Sequence, residues 1–187
     1  MIQLPIAKDR NLYLAKQVDQ ESINEISKRI IDINQSDEYL AKLAELHGMT
    51  YKPKPIKLYI DSYGGYVYQC LGLLGIMDKS EVPVHTIVTG AAMSCGFLIA
   101  ISGHKRFAYD TATHMYHQVS SVMWGKAKDM EENLEETKRL QAIIEEHTLS
   151  HTKMTRDMLD ENYKSKKDWF MTAKQALKLG VIDEIIK

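Results

Sequence analysis

Ser94 stands in Gly90-Ala-Ala-Met-Ser94-Cys95-Gly96, between a run of β-formers and an apolar helical stretch. A nucleophilic serine needs a sharp strand-to-helix turn, small neighbours, and a helix N-terminus whose N–H groups can face an oxyanion. The segment offers all three. A serine among small residues can equally serve close helix packing, so the segment alone leaves acyl-transfer chemistry and packing evenly matched. Cys95 is a second possible nucleophile, but Ser94 holds the turn position.

A serine nucleophile requires a base held in one tautomer by a third group. His117, in Met115-Tyr-His117-Gln118, closes a short strand pattern. His104, His114 and His117 all fall in the same half of the chain, and spacing does not choose among the seven histidines. Asp168 follows two lysines, where an acid is usually solvated, yet Trp169 and Phe170 come directly after it. A carboxylate at the border of a core needs a partner.

Metal chemistry has less support. His147 and His151 lie four apart on a helical stretch and so share a face, but Thr148 stands where a zinc-peptidase helix carries glutamate. His114 and His117 lie three apart. Both pairs read as ordinary, so no metal is expected. Cys70 and Cys95 sit in apolar stretches and read as small buried thiols rather than a disulfide framework. The acidic run Asp129 to Glu136 reads as a solvated helix face.

The elements that must position these groups follow from periodicity. Asn11 to Val18 is a short strand, and Asp19 caps a helix carrying Ile23, Ile26, Ile30 and Ile31 at helical spacing. Asp37 to Leu46 reads as a second short helix, followed by a stiff Tyr-Lys-Pro-Lys-Pro connector. Ile56 to Asp61 alternates as a strand and runs into the turn Ser62-Tyr-Gly-Gly65. Val67 to Met77 is a buried helix, Val84 to Val88 a strand, Gly90 to Ser94 a glycine turn and Cys95 to Ile101 a helix. Arg106 to Tyr109 and Thr113 to His117 are strands. Lys126 to about His151 is a long charged helix with a narrow apolar seam at Met130, Leu134, Ile143 and Ile144, suited to packing on one partner surface. Thr172 and Gln175 form a capping box, Gly180 stops that helix, and Val181 to Ile186 closes the chain as a strand. Repeated strand–turn–helix units imply an α/β fold with a mostly parallel sheet, whose function sits at the carboxyl ends of strands.

Composition narrows the function classes. The 187 residues suit one domain; 44% are hydrophobic, 26% charged, and the formal net charge is -1. Such a balance offers no basic footprint for nucleic acid. The 23 residues Val82 to His104 carry no charged side chain, yet Pro83, Thr89, Gly90, Ser94, Gly96 and Gly103 make them a buried strand and helix rather than a membrane span. The N-terminus shows no secretory pattern, and a cytoplasmic setting is expected.

Taken together, four segments resemble the Clp protease proteolytic subunits, and the likeness runs from Leu12 to Ile186. Ile60-Asp-Ser-Tyr-Gly-Gly65 is similar to that family's Ser-Pro-Gly-Gly turn, and Gly90-Ala-Ala-Met-Ser94 to its nucleophile segment. Met115-Tyr-His117-Gln118 is similar to its Met-Ile-His-Gln, and Lys167-Asp168-Trp-Phe-Met-Thr-Ala173 with Gly180-Val-Ile-Asp183 to its C-terminal pattern. The resemblance implies a fold of repeated ββα units shared with crotonases, with the long helix of about residues 126–151 protruding as a handle. It implies a Ser94–His117–Asp168 triad, an oxyanion hole from the N–H groups of Gly65 and Cys95, and substrate contacts at Gly64, Gln118, Ser120 and Gly125. It implies serine endopeptidase activity on polypeptides without a cofactor, inside stacked heptameric rings of identical subunits that a Clp-type ATPase can feed.

Departures from the pattern set expectations of their own. Tyr63 and Val119 replace prolines, Ser120 to Trp124 is bulkier than a glycine-rich substrate flank, and residues 36–55 form an insertion. The sequence begins almost at the first strand, so a segment that meets the ATPase is expected to be short or absent. Alternatives are a silent ring subunit, a stand-alone peptidase of the same fold, and a crotonase-type acyl-CoA enzyme. Neither of the last two needs an ATPase, and the crotonase reading leaves the three aligned residues to coincidence.

Overall fold

The computed structural model describes residues 9–120 and 125–187. Its sheet is built from β1 (Asn11–Leu14), β2 (Ile56–Ser62), β3 (Val84–Met93), β4 (Lys105–Tyr109) and β7 (Glu184–Ile186), neighbours in that order and all parallel. Two further strands branch from the end of β3: β5 (Thr113–Tyr116) pairs with Ala91 to Met93 in parallel, and β6 (Trp169–Thr172) runs antiparallel to β5. Helices α1 (Gln20–Leu46), α2 (Val67–Asp78), α3 (Cys95–Ile101), α4 (Ala127–His151), α5 (Arg156–Ser165) and α6 (Ala173–Lys178) complete the α/β architecture.

Strand β2 shows how sequence becomes layer. Ile56, Leu58, Ile60 and Ser62 point inward while Lys57 and Asp61 point out, the period of two expected of a pleated strand. Ile56, Leu58 and Ile60 are fully buried, each contributing about 1.5–3 kcal/mol relative to exposure. On the other side of the elbow, every residue of α3 is buried.

Two elements differ from their sequence reading. Helix α1 does not break between residues 31 and 37 but continues to Leu46, so the first part of the 36–55 insertion is more helix. Asp37 is the reason: its buried carboxylate accepts from Arg10 Nη1 (2.8 Å) and Tyr51 Oη (2.7 Å), which gives a polar residue a reason to stay inside a helix face. Gly90 is likewise no turn. Strand β3 runs through it to Met93, with two extra residues bulged opposite Asp61, where register moves from Ile60↔Val88 to Ser62↔Ala92. The Asp61 carboxylate fills the bulge by accepting from Ala91 N–H (2.9 Å), and a Cβ on Gly90 would lie 2.6 Å from Asp61 Oδ1.

Helix α5, which is amphipathic, and strand β6 lie outside the elements expected from the sequence. The seam of α4 packs in its second half only, through Leu140, Gln141, Ile144 and Thr148; Met130 and Leu134 are exposed. Residues 127–135 are exposed on all sides, so that half of the helix projects from the body. Among the described residues no helix is long and apolar enough to cross a membrane.

Candidate active site

The strand β3 and the helix α3 meet at Ser94, whose φ of 54° and ψ of −124° depart from the conformations that side chains favour. Such strain persists only where the surroundings over-determine it, and here they do. Ser94 N–H donates to Met115 O (3.0 Å), while Phe97 and Leu98 N–H both donate to Ser94 O. The hydroxyl is thereby pushed out at the carboxyl edge of the sheet, and His117 Nε2 meets Ser94 Oγ at 2.8 Å.

The turn after β2 packs onto this elbow. Gly64 and Gly65 have φ of 98° and 155°, and a Cβ on Gly64 would lie 2.7 Å from both Met93 O and Ser94 Cβ. Only glycine fits there. Val18 brackets Gly65, donating to Gly64 O and accepting from Tyr66 N–H, both at 2.8 Å. The Gly65 and Cys95 N–H groups are taken up by no backbone carbonyl of the described residues. Below them, Ser62 Oγ donates to Lys16 O (2.6 Å) and accepts from Gly64 N–H (3.2 Å), fixing the turn from inside. Tyr63, in place of a proline, is exposed.

Gly65, Ser94, Cys95, His117, Gln118 and Ser120 line one pocket with the apolar walls Val67, Leu98, Tyr116, Val119 and Ile144. Its free volume is about 50 Å³, enough for a few small atoms beside the hydroxyl. Gly64 lies beneath the elbow. Gly125, with φ of 146°, lies before α4 against Asp129 and does not line the pocket. Residues 121–124 of the expected substrate flank fall outside the described residues.

Asp168 is placed differently. The β5–β6 register ends at Tyr116↔Trp169, and one more antiparallel step would set His117 opposite Asp168. Cross-strand partners have Cβ atoms about 4.5–5.5 Å apart, but the pairing ends one residue short of these two. The Asp168 side chain is exposed beside Met158, Asn162 and Trp169, and no hydrogen bond joins it to His117. His104 accepts from Val84 N–H (3.1 Å) on the far end of β3. His114 is fully buried behind the sheet. Neither stands at the elbow. His147 and His151 stack at 4.0 Å with His147 against Ser102, and no group of three metal-ligating side chains forms among the described residues.

Sequence reasoning passed over Gln141. On the packed face of α4, its Oε1 accepts from Val119 N–H (2.8 Å) and its Nε2 donates to Glu145 Oε1 (2.7 Å). The only signal was a polar residue on the line of Ile144 and Thr148, which alone does not separate a bracket from an exposed glutamine.

The family model described as Clp protease matches residues 2–187. Among curated proteins, the chain is similar to the ATP-dependent Clp protease proteolytic subunit of Deinococcus radiodurans. The two are 29% identical over 188 residues, covering 97% of this chain and 82% of that relative.

Proposed function

Because the chain belongs to the Clp protease family, we propose that it is a serine endopeptidase in which Ser94 attacks the scissile carbonyl and His117 takes its proton. The observation that carries this reading is the 2.8 Å contact between His117 Nε2 and the hydroxyl of a strained strand-to-helix serine. In a peptidase cycle the Ser94 Oγ–carbonyl bond forms as the proton passes to His117, and the imidazolium then gives that proton to the leaving amine. Water repeats the sequence on the acyl-enzyme. Gly65 and Cys95 N–H groups are placed to receive the carbonyl oxygen as it becomes an oxyanion, an arrangement worth about 10²–10³ in rate per donor.

Asp168 completes the triad by rotating inward to accept from His117 Nδ1–H, which holds the reactive tautomer and stabilises the imidazolium. The extended substrate lies along residues 118–125, adding a strand beside Gln118 and Ser120. The working form is a ring of identical subunits, two rings stacked through their projecting α4 helices, with a Clp-type ATPase supplying unfolded polypeptide. No metal or organic cofactor enters this chemistry. The separation of Asp168 from His117 favours one other reading, a catalytically silent ring subunit.

A fluorophosphonate serine probe with peptide mass spectrometry decides between them. The expected result is an adduct on Ser94 that is absent in Ser94→Ala and strongly suppressed in His117→Ala, with peptidase kcat lowered about 10³-fold or more in Asp168→Ala. An unlabelled Ser94 in protein shown by sedimentation to be an assembled ring would overturn the enzyme reading in favour of the silent subunit.

A further inference from the structure

Cys70, on α2, and Cys95, directly after Ser94, are both buried free thiols, exposed by 0% and 2%. They are not merely packing residues. Cys70 Sγ donates to Cys95 O (3.5 Å) across a separation of 25 residues, which sets the two cysteines side by side. Cys95 Sγ in turn donates to Gly65 O (3.3 Å). The two residues proposed above as oxyanion donors, Gly65 and Cys95, are therefore tied together by one sulfur, and a second sulfur braces the Cys95 carbonyl.

From this juxtaposition we propose that Cys70 and Cys95 form an oxidisable dithiol, a site for hydroperoxides whose disulfide disarms the oxyanion hole. Cys95 is the residue that meets the peroxide because it lines the pocket at Ser94, whereas Cys70 lies behind it in the core. The neighbouring Cys70 also holds the Cys95 thiol below the ordinary thiol range, while Cys95 and burial together raise Cys70. A lowered thiol is the one that reacts.

The chemistry balances in two steps. The Cys95 thiol gives up its proton and its sulfur attacks one peroxide oxygen; the O–O bond breaks, a sulfenic acid forms, and the departing alkoxide or hydroxide takes up that proton and leaves as alcohol or water. The Cys70 sulfur then attacks the sulfenic sulfur, the S–S bond forms, and hydroxide departs with the Cys70 proton as water. Two thiols are oxidised and one hydroperoxide is reduced. To bond with Cys70, Cys95 Sγ must leave Gly65 O, and Cys70 must leave Cys95 O. Both braces of the donor pair are lost together. A dithiol reduced again by cellular thiols makes this a reversible brake.

The effect on catalysis rests on the peptidase reading above, while the disulfide itself does not. The test treats the purified full chain with hydrogen peroxide and reads two quantities, the Cys70–Cys95 linked peptide by mass spectrometry and fluorophosphonate labelling of Ser94. The expected result is a linked peptide, a fall of about 100-fold in labelling rate, and recovery with dithiothreitol. Cys70→Ser, whose hydroxyl can donate to Cys95 O in place of the thiol, is read against its own labelling rate before oxidant. After oxidant it loses labelling in a way dithiothreitol does not reverse, because Cys95 passes to the sulfinic acid without its resolving partner. Oxidised wild type without the linked peptide overturns the proposal, as does a linked peptide with unchanged labelling. If reduced protein fails to label, the peptidase reading falls, and the linked peptide still decides the dithiol.

Discussion

Val119 donates its backbone N–H to Gln141 Oε1 across 2.8 Å, tying the chain two residues beyond His117 to the packed face of α4. A proline at this position would have no N–H to satisfy; valine does, and the α4 side chain meets it. Replacing Gln141 by leucine leaves that N–H without its partner. The expected cost is about 1–3 kcal/mol in urea unfolding. A fall of about tenfold in peptidase kcat, larger than any change in KM, is expected as the His117 segment loosens.

Gly64 and Gly72 should respond to alanine in opposite directions. At Gly64 a Cβ meets Met93 O and Ser94 Cβ at 2.7 Å on a backbone with φ of 98°, and the elbow cannot move aside. Gly64→Ala should lower stability by about 3 kcal/mol or more and abolish labelling of Ser94. At Gly72, inside α2, a Cβ meets nothing within 4 Å, so Gly72→Ala should add about 0.5–1 kcal/mol. Thermal unfolding of the two variants beside wild type checks the contrast.

His114 is buried with neither ring nitrogen hydrogen-bonded to a described residue, and burial pushes its pKa down to about 4. The unfolded chain then binds more protons than the folded one between about pH 6.5 and 4, so stability rises with pH across that window. The contribution is fully present above the unfolded value and is lost as pH falls toward 4. His114→Leu should raise stability at pH 5 by more than at pH 7.5, and urea titrations at the two values measure the difference. Equal gains at both would show that His114 does not supply the slope.

Asp37 holds α1 together at its middle. Burial raises its pKa, but hydrogen bonds from Arg10 and Tyr51 outweigh burial and hold the carboxyl below the ordinary range. The Asp37 side chain is only 5% exposed. Asp37→Ala would leave the Arg10 guanidinium without its carboxylate partner, at a cost of about 1–3 kcal/mol. Hydrogen exchange should then report fraying of residues 37–46 before the rest of α1.

Much of the site was legible in the chain because its signals are local. A serine among small residues before an apolar helix, a glycine pair after an alternating strand, and a capping box at Thr172 each depend on neighbours in sequence. Gly90 was misread for the opposite reason. Its lack of a Cβ makes room for Asp61 on another strand, a contact that no local pattern records. The break expected near Asp37 failed likewise, since Arg10 and Tyr51 reach it from 27 and 14 residues away.

By itself the sequence determined most of the strands and helices, the elbow serine and the four segments that mark the family. Spacing left seven histidines open beneath the resemblance, and the tertiary structure sets His117 on Ser94, because β5 is laid beside the end of β3 and puts Met115 O on the Ser94 N–H. It also decided that Cys70 touches Cys95 and that Gln141 holds Val119. Those choices come from side chains brought together across tens of residues, where periodicity is silent and only packing, hydrogen-bond satisfaction and register can select the partner.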